Sequence, residues 1–131
     1  MPESVTDRCT KAHEYLFLLS KSERYRFDAG AIAEPAADRA TRNCRSVWTI
    51  QTAPFRGAHF ATFPPARVEP CILAGAGVGD TVLDPFCGSG TTGLVALRHG
   101  RKFVGVELNP EYAEIARERI YSDAPLLNAL P

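Results

Sequence analysis

The chain has 131 residues, 45% of them hydrophobic, with 15 lysines and arginines balanced by 15 aspartates and glutamates. That is enough apolar material for one folded domain but short for a complete nucleotide enzyme, and zero net charge excludes a global pull toward nucleic acid or membrane, so any basic surface is local. The four cysteines, Cys9, Cys44, Cys71 and Cys87, are far apart with no C-x-x-C pair, the amino terminus is polar, and the apolar run "YLFLL" is too short to span a bilayer. These features argue against a zinc site and a secretory signal, and for a reduced, cytoplasmic protein.

In chain order, the first predicted element is a β-hairpin over residues 8–27. Its arms are the apolar run Tyr15 to Leu19 and the "YRF" that follows the polar turn "SKSER". From Asp28 to Arg45 the composition shifts to Ala, Arg, Asp and Pro without a period, which predicts an irregular segment, and Val47, Trp48 and Ile50 form a short strand candidate. Arg39, Arg42, Arg45 and Trp48 have the right chemistry for phosphate and base contacts, and they fit equally a solvated loop leading to a core tryptophan. Pro65 is placed to open a helix through Val68, Ile72 and Leu73 toward "GAGVG", with Pro70 expected to kink it or to mark its true first turn.

From Asp80 onward the pattern is a βαβ unit. "TVLD" reads as a short buried strand, the glycine turn leads into a helix with Leu94, Val95 and Leu97 that Gly100 can cap, and "KFVGVEL" reads as a second buried strand. Asn109 caps a last helix with Pro110 at its first position, and Tyr112, Ile115, Ala116, Arg119 and Ile120 fall on it at helical spacing. The tail from Ser122 is expected to fray.

The turn itself, "VLDPFCGSGTTG", places Gly88, Gly90 and Gly93 at G-x-G-x-x-G spacing between strand and helix, so backbone amides can approach a ligand closely. Glu107 ends the next strand at about the separation at which an acidic residue holds ribose hydroxyls, which points to a nucleoside. A dinucleotide such as NAD is permitted by the glycines, but its pyrophosphate would meet Asp84 at the mouth of the turn and be repelled. S-adenosylmethionine, with a cationic sulfonium and ammonium, makes Asp84 an asset; a carboxylate that only caps the turn is the equal alternative. Ser89, Thr91 and Thr92 offer hydroxyls and helix-start amides either to the ligand's carboxylate or to the helix as caps.

At these residues the sequence resembles the amino-methyltransferases of DNA, in particular their circularly permuted beta class. "DPFCGSGTT" is similar to the family's first cofactor motif, "VGVELNPEYAEIA" to its second, and "GAHFATFPPARVEPCI" to the motif packed on the methionine end of the cofactor. "RCTKAHEYLFLLSKS" with "YRFD" is similar to the hairpin before the recognition region, and "TRNCRSVWTI" to the segment leaving it, which implies that residues 28–50 are a short segment resembling that recognition region; the likeness runs from Arg8 to about Ile120. It implies an α/β, Rossmann-like methyltransferase fold with S-adenosylmethionine bound by residues 57–121. Asp84, Pro85, Phe86, Gly88, Ser89, Gly90, Thr91 and Thr92 would line the cofactor, Glu107 would hold its ribose, and Phe60, Thr62, Phe63 and Pro64 would wall its methionine end. No catalytic residue is assigned, because the family's Asp, Asn or Ser followed by Pro-Pro and an aromatic is absent. The single Pro-Pro, Pro64-Pro65, lies between Phe63 and Ala66. Cys87 is expected to pack, without a nucleophilic role.

The resemblance thus implies the carboxyl-terminal part of a site-specific DNA adenine-N6 or cytosine-N4 methyltransferase with an incomplete sheet, acting on double-stranded DNA and using no metal. A cofactor-binding subunit completed by a second polypeptide that carries the tetrad, and an inactive truncated remnant, are the alternatives; an NAD-binding protein ranks below both.

Overall fold

The computed structural model describes residues 6–38, 40–51 and 63–123. Its ordered centre is a two-stranded parallel sheet, β3 (Thr81–Asp84) beside β4 (Lys102–Gly105), after a two-residue antiparallel pair, β1 (Glu34–Pro35) and β2 (Thr41–Arg42). Three helices accompany them: α1 (Pro65–Gly75), α2 (Thr91–Arg98) and α3 (Pro110–Asp123). The order β3-α2-β4 is the predicted βαβ unit. Its register pairs Val82 with Phe103 and Leu83 with Val104, and Lys102 N–H to Asp80 O (2.8 Å) and Val106 N–H to Asp84 O (2.9 Å) extend the pairing at either end.

Alternation along the strands sorts their side chains. Val82 and Phe103 face inward and pack, with Val68 and Ile120, against buried Ile72, Leu94, Val95 and Ala96, so one face of the sheet, α1 and α2 share a single core. Leu83, Val104 and Val106 point the other way and are exposed. Burying apolar area contributes about 25 cal/mol per Å², which makes the inner face the main source of cohesion here.

Helix ends follow local chemistry. Pro65 occupies the first turn of α1, so the helix already begins there and runs through Pro70, which does not mark the start. At the end of α2, Gly100 adopts φ +71°, its N–H donates to Leu97 O (3.0 Å), and Arg101 N–H donates to Ala96 O (2.9 Å). That pair is a Schellman closure, which only a residue free of a Cβ penalty completes cheaply. Asn109 Oδ1 accepts the Glu111 N–H (2.9 Å), the expected cap of α3.

Two tethers hold the connections in place. Buried Arg101 donates to Ala76 O through Nη2 (2.6 Å) and Nε (3.2 Å) and to His99 O through Nη1 (2.6 Å), joining the loop after α1 to the turn after α2. His99 Nε2 and Glu69 Oε1 lie 2.8 Å apart, linking α2 to α1.

The amino-terminal arm differs from its prediction. No strand forms within residues 9–27, so the hairpin expected over 8–27 is not seen as a ladder, although bends do occur at Lys21 to Glu23 and Ser20 Oγ donates to Ser22 O (2.7 Å). An isolated two-stranded hairpin is marginal without a surface to cover, and the run Tyr15 to Leu19 is exposed along its length. The arm is anchored downstream, where Asp28 N–H donates to Ala74 O (2.8 Å) and Glu14 pairs with Arg67. The strand expected at Val47 to Ile50 also does not form; pairing occurs at Thr41–Arg42 instead.

Candidate functional site

The site is built where β3 and β4 end side by side. In open α/β sheets, ligands bind beyond the carboxyl ends of the strands, because the turns there aim backbone amides outward. Asp84, the last residue of β3, accepts the Phe86 N–H at Oδ1 (3.0 Å) and the Thr92 hydroxyl at Oδ2 (2.6 Å), so it caps both the turn and the start of α2. Glu107, beyond β4, accepts the Gly88 N–H at Oε2 (2.9 Å) and the Asn109 N–H at Oε1 (2.9 Å). The turn is thus held by a carboxylate on each side. Each carboxylate has about four lone-pair sites and uses two of them in these bonds, leaving acceptor capacity for hydroxyls or an ammonium.

The three glycines divide their duties. Gly88 (φ +50°) has nothing within 4 Å of where a Cβ would stand, so its surface is open to a ligand. At Gly90 (φ +76°) a Cβ would come 2.9 Å from the Ala116 Cβ on α3, and at Gly93 one would come 2.5 Å from the Phe103 ring. These two serve close packing of helix on helix and of helix on strand, the third glycine of the pattern as expected for such turns.

Ser89 and Thr91 are turned inward and buried. Arg119 Nη1 donates to Ser89 O (3.1 Å), Ser89 Oγ (3.1 Å) and Thr91 Oγ1 (2.9 Å). Their hydroxyls therefore join the turn to α3, whereas the Thr92 hydroxyl joins it to Asp84. Phe86, in the turn, and Leu108, next to Glu107, are 88% and 98% exposed, and Pro85 lies between Asp84 and Phe86. The Cys87 thiol pKa is pushed up, first by burial and then by the negative charges of Asp84 and Glu107, a direction that disfavours the thiolate.

Phe63 and Pro64 stand at the amino end of α1, where the Arg67 guanidinium lies 5.8 Å from the Phe63 ring centroid. Phe60 and Thr62, like Arg39, lie outside the described residues. In the arm, Glu34 accepts from the Arg45 N–H (3.0 Å), Arg45 Nε (2.9 Å) and Arg42 Nε (3.3 Å). Arg42 and Arg45, two of the three arginines considered for nucleic acid, are therefore paired with one carboxylate. The Glu34 pKa is held down, chiefly by that backbone N–H and also by the Arg45 guanidinium, against some loss of solvent. Trp48 donates from Nε1 to Arg45 O (2.7 Å) and lines an apolar depression with Ile32, Cys44, Pro70 and Leu73, about 260 Å³ in volume and lined by none of the glycine-turn residues. Among the described residues there is no cluster of metal-ligating side chains, and no helix long and apolar enough to cross a membrane.

Sequence reasoning missed Arg119, Arg101 and Glu34 as organisers. A signal for the first existed: an arginine falls on the same helical stripe as Ala116 and Ile120, where an apolar residue is ordinary.

A strand–glycine turn–helix–strand unit with Asp84 ending one strand and Glu107 just beyond the other is the arrangement of a nucleotide-fold α/β protein. Comparison narrows the class: residues 1–118 match the family model described as DNA methylase, and the chain belongs to that family. It is 54% identical over 123 residues to the type II methyltransferase M.Cfr9I of Citrobacter freundii, covering 94% of this chain and 41% of that protein. It is 55% identical over 120 residues to the type II methyltransferase M.XycI of Xanthomonas campestris pv. cyanopsidis, covering 92% and 40%. The chain thus spans about two fifths of the length of these relatives. Among solved structures, PvuII DNA methyltransferase (cytosine-N4-specific) superposes with a TM-score of 0.63 at 28% identity, over 85% of this chain and 45% of that one. The M1.HpyAVI–SAM complex does so with 0.57 at 30% identity, over 76% and 45%. The fold is therefore a partial Rossmann-like fold of the S-adenosylmethionine-dependent methyltransferase type.

Proposed function

We propose that this chain supplies the cofactor-binding part of a site-specific DNA methyltransferase, one that moves a methyl group from S-adenosylmethionine to an exocyclic amino group of adenine or cytosine. The observation that carries the reading is the pair of strand-end carboxylates, Asp84 and Glu107, fixed on either side of the open Gly88 turn with acceptor capacity left over. Glu107 would take the ribose hydroxyls, and Asp84 would favour the cationic end of the cofactor. Phe86 offers an exposed aromatic surface, and Thr92, held by Asp84, orders the first turn of α2. Phe60, Thr62, Phe63 and Pro64 belong to the methionine-end wall on this reading. Bound there, the cofactor supplies an electrophilic methyl group, and what these residues contribute is its orientation.

The rest of the machinery lies outside this chain. Amino nitrogens of bases are poor nucleophiles, and the Asp/Asn/Ser-Pro-Pro-aromatic tetrad that receives a flipped base has no counterpart in the sequence. Leu83, Val104 and Val106 leave an apolar sheet face uncovered, and the relatives are more than twice as long. Both facts support further polypeptide, in cis or as a second subunit, that completes the sheet and carries the tetrad. Arg42, Arg45 and Trp48 would contact DNA in that assembly; Glu34 pairs with both arginines here and offsets one of their two charges. A reduced cytoplasmic setting suits the free cysteines.

The test is calorimetric titration of the purified chain with S-adenosylhomocysteine, with Asp84→Ala and Glu107→Gln alongside. Saturable binding that both variants lose is expected, and a folded chain that binds nothing would overturn the assignment. The purified chain is expected to transfer no methyl group to duplex DNA; incorporation of labelled methyl would show that it needs no completion.

A further inference from the structure

The least expected feature of the site is a cation under the glycine turn. Arg119 sits on α3, 28 to 30 residues beyond the atoms it reaches, and one guanidinium nitrogen meets a carbonyl and two hydroxyls of Ser89 and Thr91. Burial, and then the neighbouring Arg98 cation, push the Arg119 pKa down, with Asp123 opposing them. Arg119 is half-buried, at a position of the stripe where an apolar residue would also join two helices. Joining is also provided elsewhere: Ala116 meets Gly90, and Arg98 pairs through two bonds with Asp123 at the far end of the helices.

What Arg119 adds is specific to the turn. The Ser89 carbonyl belongs to the Ser89–Gly90 peptide, whose N–H donates to Cys87 O (2.8 Å). With its carbonyl held by Arg119 and its N–H by Cys87, that peptide plane is fixed from both ends, immediately before the left-handed Gly90 opens α2. The same guanidinium engages the Thr91 hydroxyl, in the first residue of the helix. The segment so fixed carries the amides at the start of α2, which have no intrahelical partner and are donors for an anionic group.

We infer that Arg119 is a positioning residue of the cofactor site: it presets the Ser89–Thr91 backbone so that the first amides of α2 face the amino-acid end of the ligand. This rests on the cofactor reading above and deepens it. Arg119 touches no ligand itself and acts through the peptide plane it fixes. Its effect therefore falls on the part of the ligand that meets the start of α2, while the ribose, held by Glu107, is untouched.

That distinction gives the experiment. Wild type, Arg119→Lys, Arg119→Gln and a Ser89→Ala/Thr91→Val double variant of the full chain are titrated with S-adenosylhomocysteine and with 5′-methylthioadenosine, which lacks the amino-acid end. Arg119→Gln is expected to weaken S-adenosylhomocysteine about tenfold, the scale of one lost charge-assisted hydrogen bond, and to leave 5′-methylthioadenosine within about twofold. Arg119→Lys should recover part of the loss. If Arg119→Gln does not fold, the double variant, which removes acceptor hydroxyls at little change in volume, is judged by the same split. Unchanged binding of both ligands, or equal loss of both, overturns the inference. A wild-type chain that is folded and binds neither overturns the cofactor reading, and this inference with it.

Discussion

Tyr15 to Leu19 and Leu94 to Leu97 are both short apolar runs, yet Leu19 is 87% exposed and Val95 only 2%. Their compositions do not account for the contrast. The second run lies on α2 between a sheet face and two other helices, whereas the first belongs to an arm with ties at Glu14 to Arg67 and at Asp28 to Ala74 that leave Tyr15 to Leu19 exposed. Hydrophobicity selects residues for burial, but a second layer must exist to bury them. Here the βαβ half supplies its own layers, and the arm and the outer sheet face do not.

The sharpest way to break that contrast is at the tightest contact of the βαβ half. Gly93→Val puts a Cβ 2.5 Å from Phe103 ring atoms and 2.8 Å from Ile120 Cδ1, and should remove roughly 3 kcal/mol or more in urea unfolding. A loss below about 1 kcal/mol would mean that α2 and β4 are not packed as described. Next, Val95→Ala should cost about 2 kcal/mol, while Leu19→Ala in the arm should stay within about 0.5 kcal/mol; comparable losses would show that the arm is buried in solution.

Smaller effects follow at polar contacts. Thr92→Val deletes the donor to Asp84 and is expected to lower stability by about 1 kcal/mol and to weaken S-adenosylhomocysteine, both read from thermal melts with and without ligand. In acid, Asp123 reports on the α2–α3 tether. Its pKa is held below the ordinary value, first by hydrogen bonding to Arg98 and then by the charges of Arg98 and Arg119, against partial burial. Its contribution is therefore complete above about pH 4 and is lost as pH falls through the lowered folded value. Asp123→Asn should flatten the acid limb of the stability profile; an unchanged limb would detach Asp123 from the folding equilibrium. Glu34→Gln should do least: the unfolding midpoint stays where it is, and faster amide exchange at Arg45 marks the loosened arm.

Much of the βαβ half was legible because its signals are local. Asn109 before Pro110, Gly100 after α2 and Pro65 at the head of α1 each satisfy or omit a backbone group within a few residues, so the residue type alone carries the message. The hairpin and the Val47 to Ile50 strand were not legible in that way. Pairing needs a partner strand and a surface to cover, and Glu34 gathered Arg42 and Arg45 at a place that no period marks.

The sequence by itself determined the βαβ unit, its family and the identity of the two carboxylates, since strand, turn, helix and caps lie within one short stretch whose chemistry is written residue by residue. Only the tertiary structure decided what the turn residues do. Gly90 and Gly93 admit α3 and Phe103, Ser89 and Thr91 face Arg119, and Gly88 alone of the three glycines remains open. The reason is distance along the chain: those partners are separated by ten to thirty residues, and which side chain arrives is set by how helix and strand pack rather than by any local preference.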